Sequence, residues 1–402
     1  MSKTTAASTH EAYLARRHFA SLDGVRFLCI AMVLWHHAQP EAADGIALLR
    51  RGFLGVDFFF VLSGFLITTL LLREAASTGS FSLRDFYLRR IIRIFPVYFF
   101  VVGVVSFQVI VISGQQEYAQ YVPYYLLFLS NYLVGDIPTL GITWSLAVEE
   151  QFYVVWPLLL LMTPLRYLLP VTLGLIAINV LSAAEILGSG RHASVGLLEI
   201  PLVPSVFSAI LIGCLLALLL HRAASFAVLA RLLGGRSAAV AGIAALVVFL
   251  SIAPGRLEVW HDFVIWLLMA AILGALVIRE DNALLGFLQN RFVARIGVVS
   301  YGIYLYHLVV LHFVNIGLEA AGLHGPWTVL LVYSLASYVV AEISFRTLEA
   351  YFRRFRPATR RAPEAAVAQP AGEATSLAAR SPASRAAHAL DLRGVREDRR
   401  RD

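Results

Sequence analysis

Two cysteines in 402 residues leave no room for a disulfide framework, and neither belongs to a CxxC pair. Cys29 and Cys214 both lie in apolar runs, where a thiol serves as a small hydrophobe. HExxH spacing and a Walker-type glycine loop are absent, so no metal site and no nucleoside-triphosphate cradle is expected. Charged residues make up only 15% of the chain. Of the net charge of +7, most belongs to the stretch from Arg353 to Asp402, where twelve arginines face six acids. The excess is therefore a tail and not a nucleic-acid-binding face. The first twenty residues have no apolar core and no small-residue cleavage pattern, so they are not read as a signal peptide. No repeat of 20–50 residues is apparent, and no paired broken helices relate the two halves.

What the chain does have is apolar surface. Hydrophobic residues are 59% of it, with a mean hydropathy of +0.73, more than one water-soluble core can bury. The expected fold class is an all-α polytopic membrane protein. Windows of about 20 apolar residues suggest ten spans, at 22–38, 53–72, 91–112, 142–163, 167–187, 200–220, 238–254, 261–278, 297–318 and 327–348. With the N-terminus inside, alternate connections are rich in arginine, while the outer ones hold Arg50, Arg51, Arg191 and Arg256. The positive-inside rule then puts both termini in the cytoplasm. Three regions result: a cytoplasmic segment 1–21, a membrane domain 22–350, and a basic disordered cytoplasmic tail 351–402 that can touch anionic lipid. The tyrosine-rich, base-free stretch Gln115 to Gly141 reads as a re-entrant or surface-lying outer segment, with a short extra span as the alternative.

Within this frame the stretch LDGVRFLCIAMVLWHH, Leu22 to His37, is unusual. Arg26 and His37 are eleven residues apart, about three helical turns, and share one face roughly 16 Å apart along the axis. Ionisable groups in so short an apolar segment are costly and mark a site. In TWSLAVEEQFYVVWP, Glu149 and Glu150 sit toward the outer half of their span and are expected at the depth of His37. There a neutral imidazole takes a proton from an attacking hydroxyl while a carboxylate steadies it. A packing hydrogen bond is the plainer reading. At the inner boundary, RRIIRIFP places Arg90 and Arg93 at i and i+3, a pair of forks suited to phosphate, although topology alone also demands basic residues there. GVDFFFVLSGFLIT supplies Asp57, Ser63 and close-packing glycines Gly52, Gly55 and Gly64. SYGIYLYHLVVLHF supplies His307 and His312, with His307 as readily a hydrogen-bonded core residue as a functional one. His261 and Asp262 are equally consistent with an interfacial position.

Taken in order, LDGVR with His37, GVDFFFVLSGFLIT, RRIIRIFP, TWSLAVEEQFYVVWPLLL and SYGIYLYH resemble the acyltransferase-3 family of membrane O-acyltransferases. The matching blocks run from Leu22 to about His307, and the tail lies outside them. The resemblance implies transfer of an acyl group, often acetyl, from a cytoplasmic acyl-CoA to a hydroxyl. The acceptor is usually a surface polysaccharide or lipid-linked glycan and sometimes a small secondary metabolite. The inner (cytoplasmic) cell membrane is the implied location. Residue by residue, it implies His37, Glu149 and Glu150 as catalytic and Arg26, Arg90 and Arg93 as acyl-CoA-binding. Trp144 and Tyr153 of the same blocks join Asp57, Ser63 and His307 as further candidates. His36, about 80° off the Arg26 face, is the poorer match. Some relatives carry an extra outer hydrolase-like domain. None is seen after the membrane part here, so the acceptor site is expected within it. A secondary transporter or flippase is the competing reading, since buried Arg, His and Glu suit it equally.

Overall fold

In lipid every backbone N–H and C=O must find its partner inside the protein, so apolar runs fold as helices. A computed structural model describes residues 10–16, 18–38, 48–187, 192–203, 205–323 and 325–357. The principal helices in chain order are α1 (Ser21–Ala38), α2 (Leu54–Thr78), α3 (Leu83–Phe107), α4 (Thr143–Met162), α5 (Leu165–Ala183), α6 (Ser208–His221), α7 (Ala223–Leu233), α8 (Ala238–Ile252), α9 (Val259–Ile278), α10 (Arg291–Val298), α11 (Ser300–Ala320), α12 (Pro326–Arg346) and α13 (Leu348–Arg353). A short antiparallel hairpin, His192–Val195 with Leu198–Pro201, precedes α6 and is the addition to an otherwise helical plan among the described residues.

Among the described residues, seven helices are long and apolar enough to cross a membrane, and eight if α6 and α7, bent by 107° at their junction, form one broken span. The difference from ten expected spans has three local causes. Helix α1 forms, but Asp23, Arg26, His36 and His37 dilute its 18 residues. The window at 200–220 loses its first part to the hairpin, leaving α6 with 14 residues, and α8 has 15. At 1.5 Å per residue such helices fall short of a hydrocarbon core of about 30 Å. The Gln115 to Gly141 stretch forms only short turns, pinned by the Tyr98 hydroxyl donating to the Tyr125 carbonyl (2.8 Å) and by Ile137 N–H donating to the Tyr125 hydroxyl (3.0 Å). No helix of spanning length forms there among the described residues.

Close packing of α2 fixes the bundle. A Cβ on Gly64 would strike the Ile210 carbonyl of α6, and one on Gly213 would strike the Val61 carbonyl of α2, so the two backbones cross in direct contact. Cys214 Sγ lies 3.6 Å from the Gly64 carbonyl, and both cysteines are free and buried. Gly55 meets α1 in the same way, at the Cys29 carbonyl. The glycines of this block thus serve helix contact. Gly64→Val should cost about 1–3 kcal/mol through overpacking and lower the melting temperature of the detergent-solubilised protein. Gly103→Val, where a Cβ enters open space, should leave it unchanged.

The N-terminal segment docks onto this bundle. Residues 10–15 are helical, Tyr13 is buried against Phe226, and Arg73 lies over the rings of Tyr13 and Phe19 while donating to the Tyr13 carbonyl (2.8 Å). At the other end, helix continues past residue 350 to Arg353. The expected tail from 358 onward lies outside the described residues.

Candidate active site

Helices α1, α2, α3, α4 and α11 enclose a cavity of about 280 Å³. Six candidates drawn from four separate sequence blocks line it: Arg26, Ser63, Arg90, Arg93, Glu149 and Tyr153. Arg90 and Arg93 share one face of α3, one turn apart. The Arg90 guanidinium lies over the rings of Tyr153 (5.0 Å) and Phe86 (5.7 Å). Among the described residues, neither Arg90 nor Arg93 makes a hydrogen bond or an ion pair, whereas Arg26 is paired with Asp23. Two guanidinium forks without protein partners in a walled cavity form a place for an anion. Arg356, just beyond α13, adds another cation in the neighbourhood of Arg89 and Arg90, a contribution hidden in sequence by its place in a generally basic tail.

Glu149 belongs to the same cavity. Its carboxylate accepts a hydrogen bond from the Ser63 hydroxyl (2.7 Å) and lies in the electrostatic neighbourhood of Arg90, Arg93 and Tyr153. The depth argument expected it beside His37; the contacts join it to the arginines instead. Glu150 does not line the cavity, and its Oε1 is buried without a hydrogen-bond partner among the described residues. Asp57 also stays outside, near Asp262. Trp144 is 41% exposed and stands edge-on to Phe60.

The wall toward the far end of α1 is polar. Ser145 and Tyr304 are hydrogen-bonded to each other (2.7 Å), and the Tyr304 hydroxyl also reaches the Ile142 carbonyl (3.0 Å). One turn beyond Tyr304 on α11 lies His307, whose ring stands edge-to-face with His37 at a centroid separation of 4.7 Å. His37 Nδ1 is 2.9 Å from the Val33 carbonyl and His307 Nδ1 is 2.5 Å from the Tyr304 carbonyl. A carbonyl only accepts, so in each neutral ring Nδ1 carries the hydrogen and Nε2 keeps its lone pair. Both rings are thus held in the tautomer of a base. The His36 ring stands against both His37 (5.2 Å) and Phe53 (5.8 Å), His312 is exposed, and His261 caps the start of α9 by accepting from Glu258 N–H. The partners Ser145 and Tyr304 were missed in sequence; their only signal was membership of the same blocks as Glu149 and His307.

Membrane-crossing helices around a basic cavity, with a histidine pair behind its wall, define a polytopic membrane protein with a buried polar site. The sequence matches the acyltransferase 3 family, described as an acyltransferase domain, over residues 19–345, and the chain belongs to that family of membrane acyltransferases. It is 30% identical over 367 residues to the peptidoglycan O-acetyltransferase OatA of Listeria monocytogenes, covering 85% of this chain and 56% of that protein. It is 27% identical over 372 residues to the O-acetyltransferase OatA of Staphylococcus aureus strain NCTC 8325, covering 84% and 58%. The chain thus spans less than three fifths of the length of these relatives. No solved structure matches it.

Proposed function

We propose that the protein moves an acyl group, acetyl in the first instance, from acyl-CoA to a hydroxyl of a carbohydrate at the cell's cytoplasmic membrane. The observation that carries this reading is the convergence of Arg26, Arg90 and Arg93 with Ser63 and Glu149 around one cavity, next to two histidines held as bases. The cavity suits the thioester arm of the coenzyme and leaves its nucleotide outside, toward Arg356, which lies in the electrostatic neighbourhood of Arg90. Phosphates bind Arg90 and Arg93, which have no hydrogen bond or ion pair to give up among the described residues. The arm runs from Arg26 toward His37, roughly 16 Å for eleven helical residues, and has to part the Ser145–Tyr304 wall, because Arg26 is the last α1 residue that lines the cavity and Ile30 and Val33 beyond it are buried. In this reading Glu149, held by Ser63, serves the donor side, balancing the arginines and orienting the arm.

His37 Nε2 takes the proton from the acceptor hydroxyl as its oxygen attacks the thioester carbonyl carbon. The carbon–sulfur bond breaks, and the proton passes from His37 to the departing thiolate. By the positive-inside rule the arginine end is cytoplasmic and the histidine end faces outward. Exposed Trp327, beside Trp35 (5.9 Å) at that end of α1, offers a ring for a sugar to stack on. The printed name of the Listeria relative makes a cell-wall glycan the first acceptor to try. Membranes bearing the protein, given radiolabelled acetyl-CoA, should label a glycan fraction. Label in a small metabolite would move the acceptor to that class, and failure to release CoA with any acceptor would overturn the proposal.

A further inference from the structure

Behind His37 lies a group of polar atoms that the transfer chemistry above does not use. His307 Nε2, the Tyr333 hydroxyl and the Ser337 hydroxyl are all buried without a hydrogen-bond partner among the described residues. All three side chains have 0% exposure. They adjoin: the His307 ring is 4.7 Å from His37 and 6.4 Å from Tyr333, and Tyr333 and Ser337 are i and i+4 on one face of α12. A single unpaired buried polar atom is uncommon because it forfeits its hydration, and three in one place call for a role. Packing alone would be better served there by phenylalanine and alanine. With no exposed surface, His307 has no direct access to an acceptor sugar, so whatever it does it does through its neighbours.

The neighbour whose hydrogen-bonding character changes during the reaction is His37. While neutral, it has its one ring hydrogen committed to the Val33 carbonyl. After taking the acceptor's proton it carries a second N–H, at Nε2. His307, with its own Nδ1–H committed to the Tyr304 carbonyl, has only a lone pair to offer. We infer that His307 is a positioning residue for His37: the Nε2–H that His37 gains stays directed at the acceptor oxygen and then at the thiolate, and the Nε2 lone pair of His307 beside it takes a share of that hydrogen as a second acceptor. The inference rests on the acyl-transfer reading and adds to it a second imidazole on the Nε2 side of His37, the Nδ1 side being held by the Val33 carbonyl. His307 neither gains nor loses a proton: the hydrogen leaves the acceptor oxygen, resides on His37 Nε2 and ends on the sulfur of CoA. The hydrogen bond exists only in the charged state, so it favours the transition state over the bound substrates.

Three variants of the full-length protein test this. His307→Phe keeps a ring and removes the lone pair, and should lower kcat about 100-fold with KM for acetyl-CoA within about twofold of wild type. His307→Gln restores an acceptor oxygen near the position of Nε2 and should recover kcat to within about tenfold of wild type. Tyr333→Phe, which removes no group the step uses, should keep kcat within about threefold of wild type. Binding of adenosine 3′,5′-bisphosphate, which needs only the distant arginine end, reports on folding of each variant. Unchanged kcat in His307→Phe, or a His307→Gln enzyme as slow as His307→Phe, would overturn the inference. If His307→Phe fails to fold, His307→Leu takes its place and the same two outcomes decide. Wild-type protein that transfers nothing from acetyl-CoA removes the acyl-transfer reading itself, an outcome distinct from an active wild type with unaltered variants.

Discussion

His37→Ala stops acyl transfer: the expected loss in kcat is about 10³-fold or more, at the upper end of what one positioned base contributes. KM for acetyl-CoA and binding of adenosine 3′,5′-bisphosphate should stay near wild type, because the arginines proposed to hold the coenzyme are on the other side of the Ser145–Tyr304 wall. The adjacent His36→Ala is the control, since its ring packs on Phe53 and on the side of His37 but takes no part in the contact with His307. It should keep kcat within about threefold of wild type. Turnover of radiolabelled acetyl-CoA by the purified variants decides the matter, and near-normal turnover in His37→Ala would sink the assignment. The same preparation distinguishes direct attack from an acyl-histidine intermediate. Direct attack gives no burst of CoA release without acceptor, whereas an acyl-enzyme gives one equivalent per site.

Arg93→Ala should raise KM for acetyl-CoA about 10- to 100-fold, the effect of losing a charge-assisted hydrogen bond to phosphate worth about 1.5–3 kcal/mol. Its kcat should change little, because the binding is made equally with substrate and transition state. The result is readable because Arg93 has no ion pair or hydrogen bond to lose among the described residues, and Glu149, in its neighbourhood, keeps Ser63 and Arg90. Arg26→Ala is less readable, leaving Asp23 without its partner. The discriminating measurement uses acetyl-pantetheine, which has the thioester arm and no phosphate. Arg93→Ala should lose its defect with this donor, and an equal defect with both donors would count against a phosphate site.

The candidate site was legible in sequence as a set of residues, and less so as a geometry. Arg26, Ser63, Arg90, Arg93, Glu149 and Tyr153 stand in separate blocks of the chain, and the fold gathers all six around one cavity. Their partnerships were not legible. Counting residues from the end of a span gives depth but neither tilt nor rotation, so Glu149 was expected beside His37, while its hydrogen bond is with Ser63. His307 was recognisable as a candidate, yet its contact with His37 depends on how α11 crosses α1, which periodicity does not encode. Hydropathy found helices at all ten windows and misjudged their lengths where the hairpin shortens α6 and where α8 stops at 15 residues. It is least informative for α1, because the charged residues that make that helix a candidate site also lower its hydropathy.

The crossing of α2 and α6 has a consequence beyond stability. Ser63, which holds Glu149, is the immediate neighbour of Gly64, the residue on which the α6 backbone rests. The contact therefore acts as a fulcrum: a side chain inserted at Gly64 or Gly213 turns or lifts α2 at the point where it grips the carboxylate. A screen scored on activity alone would place both glycines among the catalytic residues, although neither lines the cavity. The two would also suppress each other poorly, since each already lies against the opposing main chain and neither can become smaller.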